Sequence, residues 1–226
     1  MIMNFLNGVE KRFVKSAVLL SGLCIAFFAY RLIITGTWRY SFVIGNLVLA
    51  WLGLIAVWLL ARRVAKQAWM SWRSIGLTIL WLVFLPNTWY VLTDFLHVKP
   101  TGEVSEIYDI VLIGTLVING FILGFTSLYL VHHQIRRRVS EQKSDLIIAG
   151  VILLSSFAIY LGRNLRWNSW DVLTNPSGVI VSVSDRIVDP LGHPRALNIT
   201  GLFFVLLCSV YFALWKFIHL PNSREK

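Results

Sequence analysis

Six long apolar segments determine what this chain can fold into. Each is long enough, at about 20 residues, for an α-helix to cross the hydrocarbon core of a bilayer. None alternates apolar and polar residues as the strands of a membrane β-barrel do, and in lipid the backbone must satisfy its hydrogen bonds internally. The sequence therefore predicts an all-α, polytopic transmembrane helix bundle with six spans, at about 16–35, 41–61, 74–93, 107–130, 145–163 and 197–217.

Composition agrees with this class and disfavours others. Of the 226 residues, 57% are hydrophobic and 14% are charged, whereas roughly a quarter of an ordinary soluble domain is charged. We expect a single integral membrane domain over 1–226. The net charge of +10 comes from clusters between the apolar segments, with no nucleic-acid recognition motif. Membrane lipids are therefore the expected partners and nucleic acid is not, while a membrane-protein partner or a second copy is left open.

The distribution of basic residues predicts the orientation in the membrane, because Lys and Arg concentrate on the cytoplasmic side. Of the 21 basic residues, 14 fall on the side of the N-terminus, and the other side holds Arg31, Arg39, Lys99, Arg163, Arg166, Arg186 and Arg195. The N-terminus and the C-terminus are both expected to be cytoplasmic, with a long outer loop at 164–196. His132 and His133 are expected to belong to a solvated cytoplasmic face rather than to a metal site.

A polar stripe begins at the proline of the third segment. Pro86 lacks an amide hydrogen, so a kink near the middle of the membrane is expected there. Beyond it, Asn87, Tyr90, Asp94 and His97 fall within an arc of about 80° on an α-helix, and such a stripe must face protein or water. Asp94 and His97 are candidates for an acid–base or cation-holding pair. Asn87 and Tyr90 either bind a ligand or bond between helices.

A second polar block follows the fifth segment. If the helix continues, Arg163 and Arg166 share one face with neighbouring tryptophans. Two guanidinium groups flanked by indole rings suit an anion, either a phosphate or a carboxylate such as Asp94, and an interfacial aromatic belt is the alternative. Asn168 and Asp171 are expected to orient the ligand or a partner.

The fourth segment carries a packing signal. Gly120 and Gly124 form the G-x-x-x-G pattern that permits close contact between helices. Asn119 is expected to bond to a neighbouring helix, and Asn46 is one candidate partner.

The long outer loop carries two further signals. Residues 175–178 (Asn-Pro-Ser-Gly) indicate a turn or the start of a helix. Residues 179–188 are apolar enough to lie on the bilayer surface or to fold over the polar residues, and periodicity does not decide between a short helix and a strand.

Together these blocks resemble a known family. The residues that carry the resemblance are Leu85-Pro86-Asn87, Tyr90, Thr93-Asp94, His97, Gly162-Arg163, Arg166 and Trp167-Asn168-Ser169-Trp170-Asp171. They resemble the domain-of-unknown-function 1361 family of bacterial membrane proteins, and the resemblance runs from the first to the sixth segment. It implies a multi-pass protein of the bacterial cytoplasmic membrane, and it brings no activity, cofactor or catalytic residue with it.

The leading functional hypothesis is a polar pocket at the extracytoplasmic face that binds an anionic lipid or a lipid-linked headgroup. Asp94 and His97 would supply acid–base chemistry if the site is catalytic, which is left open, and no cofactor or metal is expected. One alternative is an accessory or assembly protein whose polar residues form internal pairs. Another is a metal-dependent hydrolase that recruits Asp94, His97 and either Asp109 or Asp171, although H-E-x-x-H is absent. A small transporter is disfavoured because 79–85 offers no polar group.

Overall fold

The computed structural model describes residues 8–65, 68–100 and 102–219. Lys66, Arg224 and Lys226, which count toward the predicted orientation, lie outside the described residues. The regular elements of the described chain are all helical: α1 Gly8–Thr35, α2 Phe42–Val64, α3 Trp72–Phe84, α4 Asn87–Tyr90, a 3₁₀ helix Val91–His97, α5 Glu106–Arg136, α6 Glu141–Leu165, α7 Asp171–Thr174, α8 Pro176–Val188 and α9 Pro194–Ile218.

Six stretches of the described chain are long and apolar enough to cross a membrane. They are Arg12–Thr35, Phe42–Val64, Trp72–His97, Glu106–Arg136, Glu141–Leu165 and Pro194–Ile218. The prediction of an all-α protein with six spans is confirmed, and the protein is a multi-pass membrane protein. The side of the membrane on which each end lies stays a prediction.

The third span is interrupted where Pro86 predicted a kink. Helix α3 ends at Phe84, and the amide of Thr88 donates to the carbonyl oxygen of Leu85 at 3.1 Å, as in a tight turn. The expected α-geometry beyond the proline is wrong, because most of this stretch is the 3₁₀ helix Val91–His97. Residues i and i+3 of a 3₁₀ helix eclipse one another, so Asp94 and His97 still lie on one side.

The helix does not continue past the fifth span far enough to give Arg163 and Arg166 one shared face. Helix α6 ends at Leu165 because Arg166 adopts the left-handed conformation, with φ of 60°. This conformation costs an L-residue roughly 1–2 kcal/mol and stops a right-handed helix. Arg163 lies in the last turn of α6, and Arg166 caps it, so the two do not belong to one α-helical face.

The segment 164–196 is largely helical rather than extended. Asn175 accepts a hydrogen bond from the amide of Gly178 at 3.1 Å through its side-chain oxygen, and Pro176 occupies the first turn of α8. Both are standard features of a helix start. The signal at 175–178 therefore marks the beginning of α8, and the apolar stretch after it is a helix.

The described chain forms two compact units. Unit 1 comprises 8–59 and 76–127, and unit 2 comprises 60–75 and 128–219. In unit 1, a Cβ atom on Gly120 would overlap the carbonyl oxygen of Thr88 and lie 2.9 Å from Val91 Cγ2, and one on Gly124 would overlap the Thr88 hydroxyl. The close packing predicted from G-x-x-x-G is thus confirmed, with α4 as the neighbour of α5.

Candidate functional site

Unit 1 contains a buried ion pair that joins α1 to the start of α5. Arg31 Nε donates to Asp109 Oδ1 at 2.7 Å, and both side chains are only 1% exposed. Arg31 Nη2 lies 3.1 Å from Glu103 Oε2, and Nη1 donates to the Thr37 hydroxyl at 3.2 Å. A buried guanidinium is tolerated only when its charge and its N–H groups are satisfied. These partners satisfy both conditions.

Tyr40 completes this cluster from the turn between α1 and α2. Its hydroxyl donates to Asp109 Oδ2 at 3.0 Å, and its ring centroid lies 4.4 Å from Arg31 Cζ. Burial, followed by the hydrogen bond to Asp109, raises the pKa of Tyr40 to about 12. The phenol is therefore a neutral donor to Asp109 at physiological pH.

A second carboxylate, Asp94, is buried at the same end of unit 1. Its side chain is only 2% exposed. Asn46 on α2 donates from Nδ2 to Asp94 Oδ2 at 2.7 Å. Asp94 Oδ1 lies 3.7 Å from His97 Nδ1, a distance suited to an ion pair but too long for a hydrogen bond.

His97 is the accessible member of this pair, with 43% of its side chain exposed. Its ring centroid lies 5.0 Å from that of Phe42, and its backbone carbonyl oxygen lies 3.4 Å from the Tyr40 hydroxyl. Tyr40 therefore connects the Arg31–Asp109 pair to the Asp94–His97 pair. We call this group, formed by Arg31, Tyr40, Asn46, Asp94, His97, Glu103 and Asp109, the Asp109 end of unit 1.

The other residues predicted in the third span have more local contacts. Asn87 Nδ2 donates to the carbonyl oxygen of Phe84 at 3.3 Å, a bond that closes the break at Pro86. The carbonyl oxygen of Tyr90 accepts from the Thr93 hydroxyl at 2.8 Å, and the Tyr90 side chain is half-buried. Neither contact assigns these two residues to a ligand.

The predicted residues of the second block lie in unit 2. Arg163 is half-buried and Arg166 is exposed. The backbone amide and the Nδ2 of Asn168 donate to Asp171 Oδ2 at 2.6 and 3.3 Å. Asn168 and Asp171 are therefore brought together across the turn that leads into α7, and their predicted role toward a ligand stays a prediction.

Sequence reasoning missed a buried polar cluster in unit 2. His132 is wholly buried, so its expected place on a solvated face is wrong, whereas His133 is exposed. His132 Nδ1 lies 2.8 Å from the Tyr211 hydroxyl, and Nε2 lies 3.1 Å from Asp145 Oδ1. The neglected signal was helical spacing, because His132 follows the buried Leu128 by four positions.

Asn46 and Asn119 also have partners other than those expected. Asn119 donates from Nδ2 to the Ser21 hydroxyl on α1 at 2.8 Å, which confirms the bond to a neighbouring helix. Asn46 was the candidate for that role but instead holds Asp94. Within the described chain, no three His, Cys, Asp or Glu side chains are grouped as metal ligands would be.

The chain matches a known family model over most of its length. A family model described as "Protein of unknown function (DUF1361)" matches residues 45–210. No curated protein and no solved structure matches the chain. The matched segment contains Asn46, Asp94 and His97 but begins after Arg31 and Tyr40.

Proposed function

This chain belongs to the DUF1361 family of proteins of unknown function, and from that premise we propose that it binds the anionic headgroup of a membrane lipid or lipid-linked molecule at the Asp109 end of unit 1. The proposal rests mainly on one observation: a buried carboxylate, Asp94, is paired with an imidazole, His97, that is 43% exposed. A buried charge needs a compensating charge beside it. The proposal takes His97 to be the imidazolium partner of this carboxylate, so that it presents positive charge at the surface.

Two further cations accompany His97 on unit 1. Lys99 is exposed and follows His97 by two residues, and Arg39 is exposed and precedes Tyr40, whose hydroxyl lies 3.4 Å from the carbonyl oxygen of His97. Arg39 is only loosely paired, with Nη2 3.7 Å from Glu103 Oε1. Guanidinium, ammonium and imidazolium groups at a membrane surface attract anionic headgroups.

In this proposal His97, Lys99 and Arg39 touch the headgroup, and Asp94 and Asn46 are positioning residues. Asp94 holds the imidazolium, and Asn46 holds Asp94 through the 2.7 Å hydrogen bond. Arg163 and Arg166 keep their predicted role as anion-binding residues of unit 2. If the protein also processes the headgroup, His97 is the group able to exchange a proton with it.

The experiment measures which lipids the purified protein retains. The detergent-solubilised protein is incubated with an equimolar mixture of phosphatidylglycerol and phosphatidylcholine, and bound lipid is counted by native mass spectrometry. The wild-type protein should prefer phosphatidylglycerol, and His97→Gln should lose most of that preference without a change in melting temperature. His133→Gln is the matched control, because His133 is also an exposed histidine near the end of a span.

The Asp94→Asn variant tests whether Asp94 acts on lipid preference by positioning His97. This variant keeps the shape of the side chain but removes the charge that favours the imidazolium, so the preference for phosphatidylglycerol should fall as it does in His97→Gln. The double variant should be no worse than either single variant, because the two residues act as one unit. A full preference for phosphatidylglycerol in His97→Gln would refute the proposal.

An accessory or assembly role is the second candidate, and the Arg31–Asp109 pair favours it. Both side chains are 1% exposed and bind each other, as internal structural pairs do. This role predicts that substitutions at the Asp109 end change stability alone, with lipid preference intact. Melting temperature and lipid retention measured on the same samples therefore distinguish the two functions.

A further inference from the structure

Helix α8, Pro176–Val188, connects the fifth and sixth spans and has no buried residue. One of its faces, which we call the docked face, nevertheless packs against the rest of unit 2. The Ser182 hydroxyl accepts a hydrogen bond from Trp167 Nε1 at 3.2 Å, and a Cβ atom on Gly178 would lie 2.8 Å from the Trp167 ring. Val183 packs against a buried cluster formed by Tyr160, Leu161 and Ala196.

The opposite face of α8 is exposed and carries four large apolar side chains, together with the exposed Ser177 and Ser184. Ile180, Val181, Ile187 and Val188 are 63%, 67%, 68% and 83% exposed. At 100° per residue these four side chains occupy an arc of about 120°, centred roughly opposite the docked face. A group of large apolar side chains on one face of a helix indicates a surface that another apolar medium covers.

The charged residues of α8 lie away from this apolar face. Asp185 Oδ2 accepts from Arg186 Nη1 at 2.9 Å and lies 3.0 Å from His193 Nε2. Arg186 also donates to the carbonyl oxygen of Ser182, on the docked side, at 3.1 Å. These charges therefore neutralise one another on the side of α8 that faces the rest of unit 2. With one apolar and one polar face, α8 has the character of a helix that lies flat at an interface.

The docked face fixes the depth at which the apolar face lies. Tyr160 and Leu161 belong to the last two turns of α6, which ends at Leu165, and Ala196 belongs to the first turn of α9, which begins at Pro194. Both helices are membrane spans. A helix packed on the ends of two spans lies at the boundary between headgroups and acyl chains, where lipid surrounds the protein.

We propose that the exposed apolar face of α8, formed by Ile180, Val181, Ile187 and Val188, is a lipid-binding surface that lies in the headgroup–acyl boundary. The inference is independent of the proposed function of the Asp109 end, because it rests on unit 2 alone and requires no particular headgroup. The connection between the fifth and sixth spans is then an interfacial helix anchored to the bilayer along its length, rather than a solvated loop.

The experiment compares two positions of α8 in vesicles. Ile187→Cys and Asp185→Cys are made in a background with Cys24→Ala and Cys208→Ala, labelled with a small polarity-sensitive fluorophore and reconstituted in phosphatidylcholine. Part of the lipid is then replaced by phosphatidylcholine brominated on its acyl chains. The probe at 187 should be quenched roughly twofold more than the probe at 185 and should emit at shorter wavelength, as expected for a helix whose apolar face is in lipid.

Asp185 is the matched control because it lies on the same helix and is also exposed, but on the charged side. Equal quenching at the two positions would overturn the proposal. The proposal would also be overturned if the probe at 187 emitted at short wavelength but was not quenched, and Ile187→Cys cross-linked to a second copy of the chain. Protein rather than lipid would then cover the face. If Ile187→Cys does not fold, Val181→Cys, on the same apolar face, replaces it with the same expected result.

Discussion

Arg31 shows how a single residue can hold the end of a membrane unit together. Its guanidinium meets Asp109 and Glu103, 78 and 72 positions away in the chain. A basic residue in the last two turns of an apolar span is typical of a side chain that extends to the membrane surface. Local sequence gave no sign that Arg31 is instead buried, because its carboxylate partners lie far along the chain, Asp109 on α5 and Glu103 in the segment before it.

Replacement of Arg31 should test this role directly. Arg31→Met keeps the length of the side chain but leaves Asp109 buried without a counter-charge, so the free energy of unfolding should fall by about 3–5 kcal/mol. Arg39→Met is the control, because Arg39 is exposed and its loss should cost less than about 1 kcal/mol. Chemical unfolding in detergent micelles measures both. Similar values for the two variants would contradict the structural role of Arg31.

Tyr40 should report the same cluster through its titration. Burial and the hydrogen bond to Asp109 raise the pKa of Tyr40 to about 12, above the ordinary value of about 10. Since the folded state holds the proton more tightly than the unfolded state, the stabilisation is fully present below pH 10 and is lost as pH rises from about 10 through about 12.

The near-ultraviolet absorbance of phenolate measures this titration. The difference in absorbance between the wild-type protein and Tyr40→Phe should show one phenol that ionises near pH 12. The free energy of unfolding of Tyr40→Phe should depend less on pH between 10 and 12 than that of the wild-type protein. A difference spectrum that titrates at pH 10 would show that Tyr40 is not held by Asp109.

Within the third span, sequence predicted the break at Pro86 but not the geometry that follows it. Proline in the interior of a helix kinks or ends it, because its amide hydrogen is missing, whereas the choice between α and 3₁₀ geometry depends on tertiary packing. The pairing of Asp94 with His97 was predicted because three-residue spacing brings side chains together in both helix types. Asn46 was not predicted as the donor to Asp94, because it lies on another span.

The end of α6 illustrates the opposite case. Left-handed helix caps are usually Gly or Asn, and this one is Arg166. Composition therefore gave no sign that the helix stops, and the single face considered for the second block, which required the helix to continue, does not form.

At the contact between α4 and α5, Gly120 should be intolerant of any side chain. A Cβ atom there would overlap the carbonyl oxygen of Thr88, which cannot move without its backbone. Gly120→Ala should therefore lower the free energy of unfolding by about 1–3 kcal/mol, as overpacking does. Gly114→Ala, on the same helix, meets only the Phe95 ring at 3.9 Å and should be nearly neutral. Thermal unfolding of the two variants provides the comparison, and equal melting temperatures would show that α4 and α5 are not in close contact.

For the molecule as a whole, the six spans could be predicted because each is encoded by its own composition and length. Side-chain pairs between spans could not, because the residues concerned lie far apart in sequence. His132 is an example. Its partners Tyr211 and Asp145 lie on α9 and α6, and a histidine near Arg136–Arg138 resembles an ordinary surface residue until its place on the buried face of α5 is considered.

The orientation of the molecule decides which leaflet the Asp109 end meets. Because 14 of the 21 basic residues fall on the side of the N-terminus, Lys143 is predicted to be cytoplasmic and Lys99 extracytoplasmic. Lys143→Cys and Lys99→Cys, each in the cysteine-free background, are both exposed positions and can be treated in intact cells with a membrane-impermeant maleimide. Lys99→Cys should be labelled, and Lys143→Cys should be labelled only after the cells are lysed. The reverse pattern would place His97 at the cytoplasmic leaflet, so its headgroup ligand would come from that leaflet, while the contact of α8 with lipid would stand in either orientation.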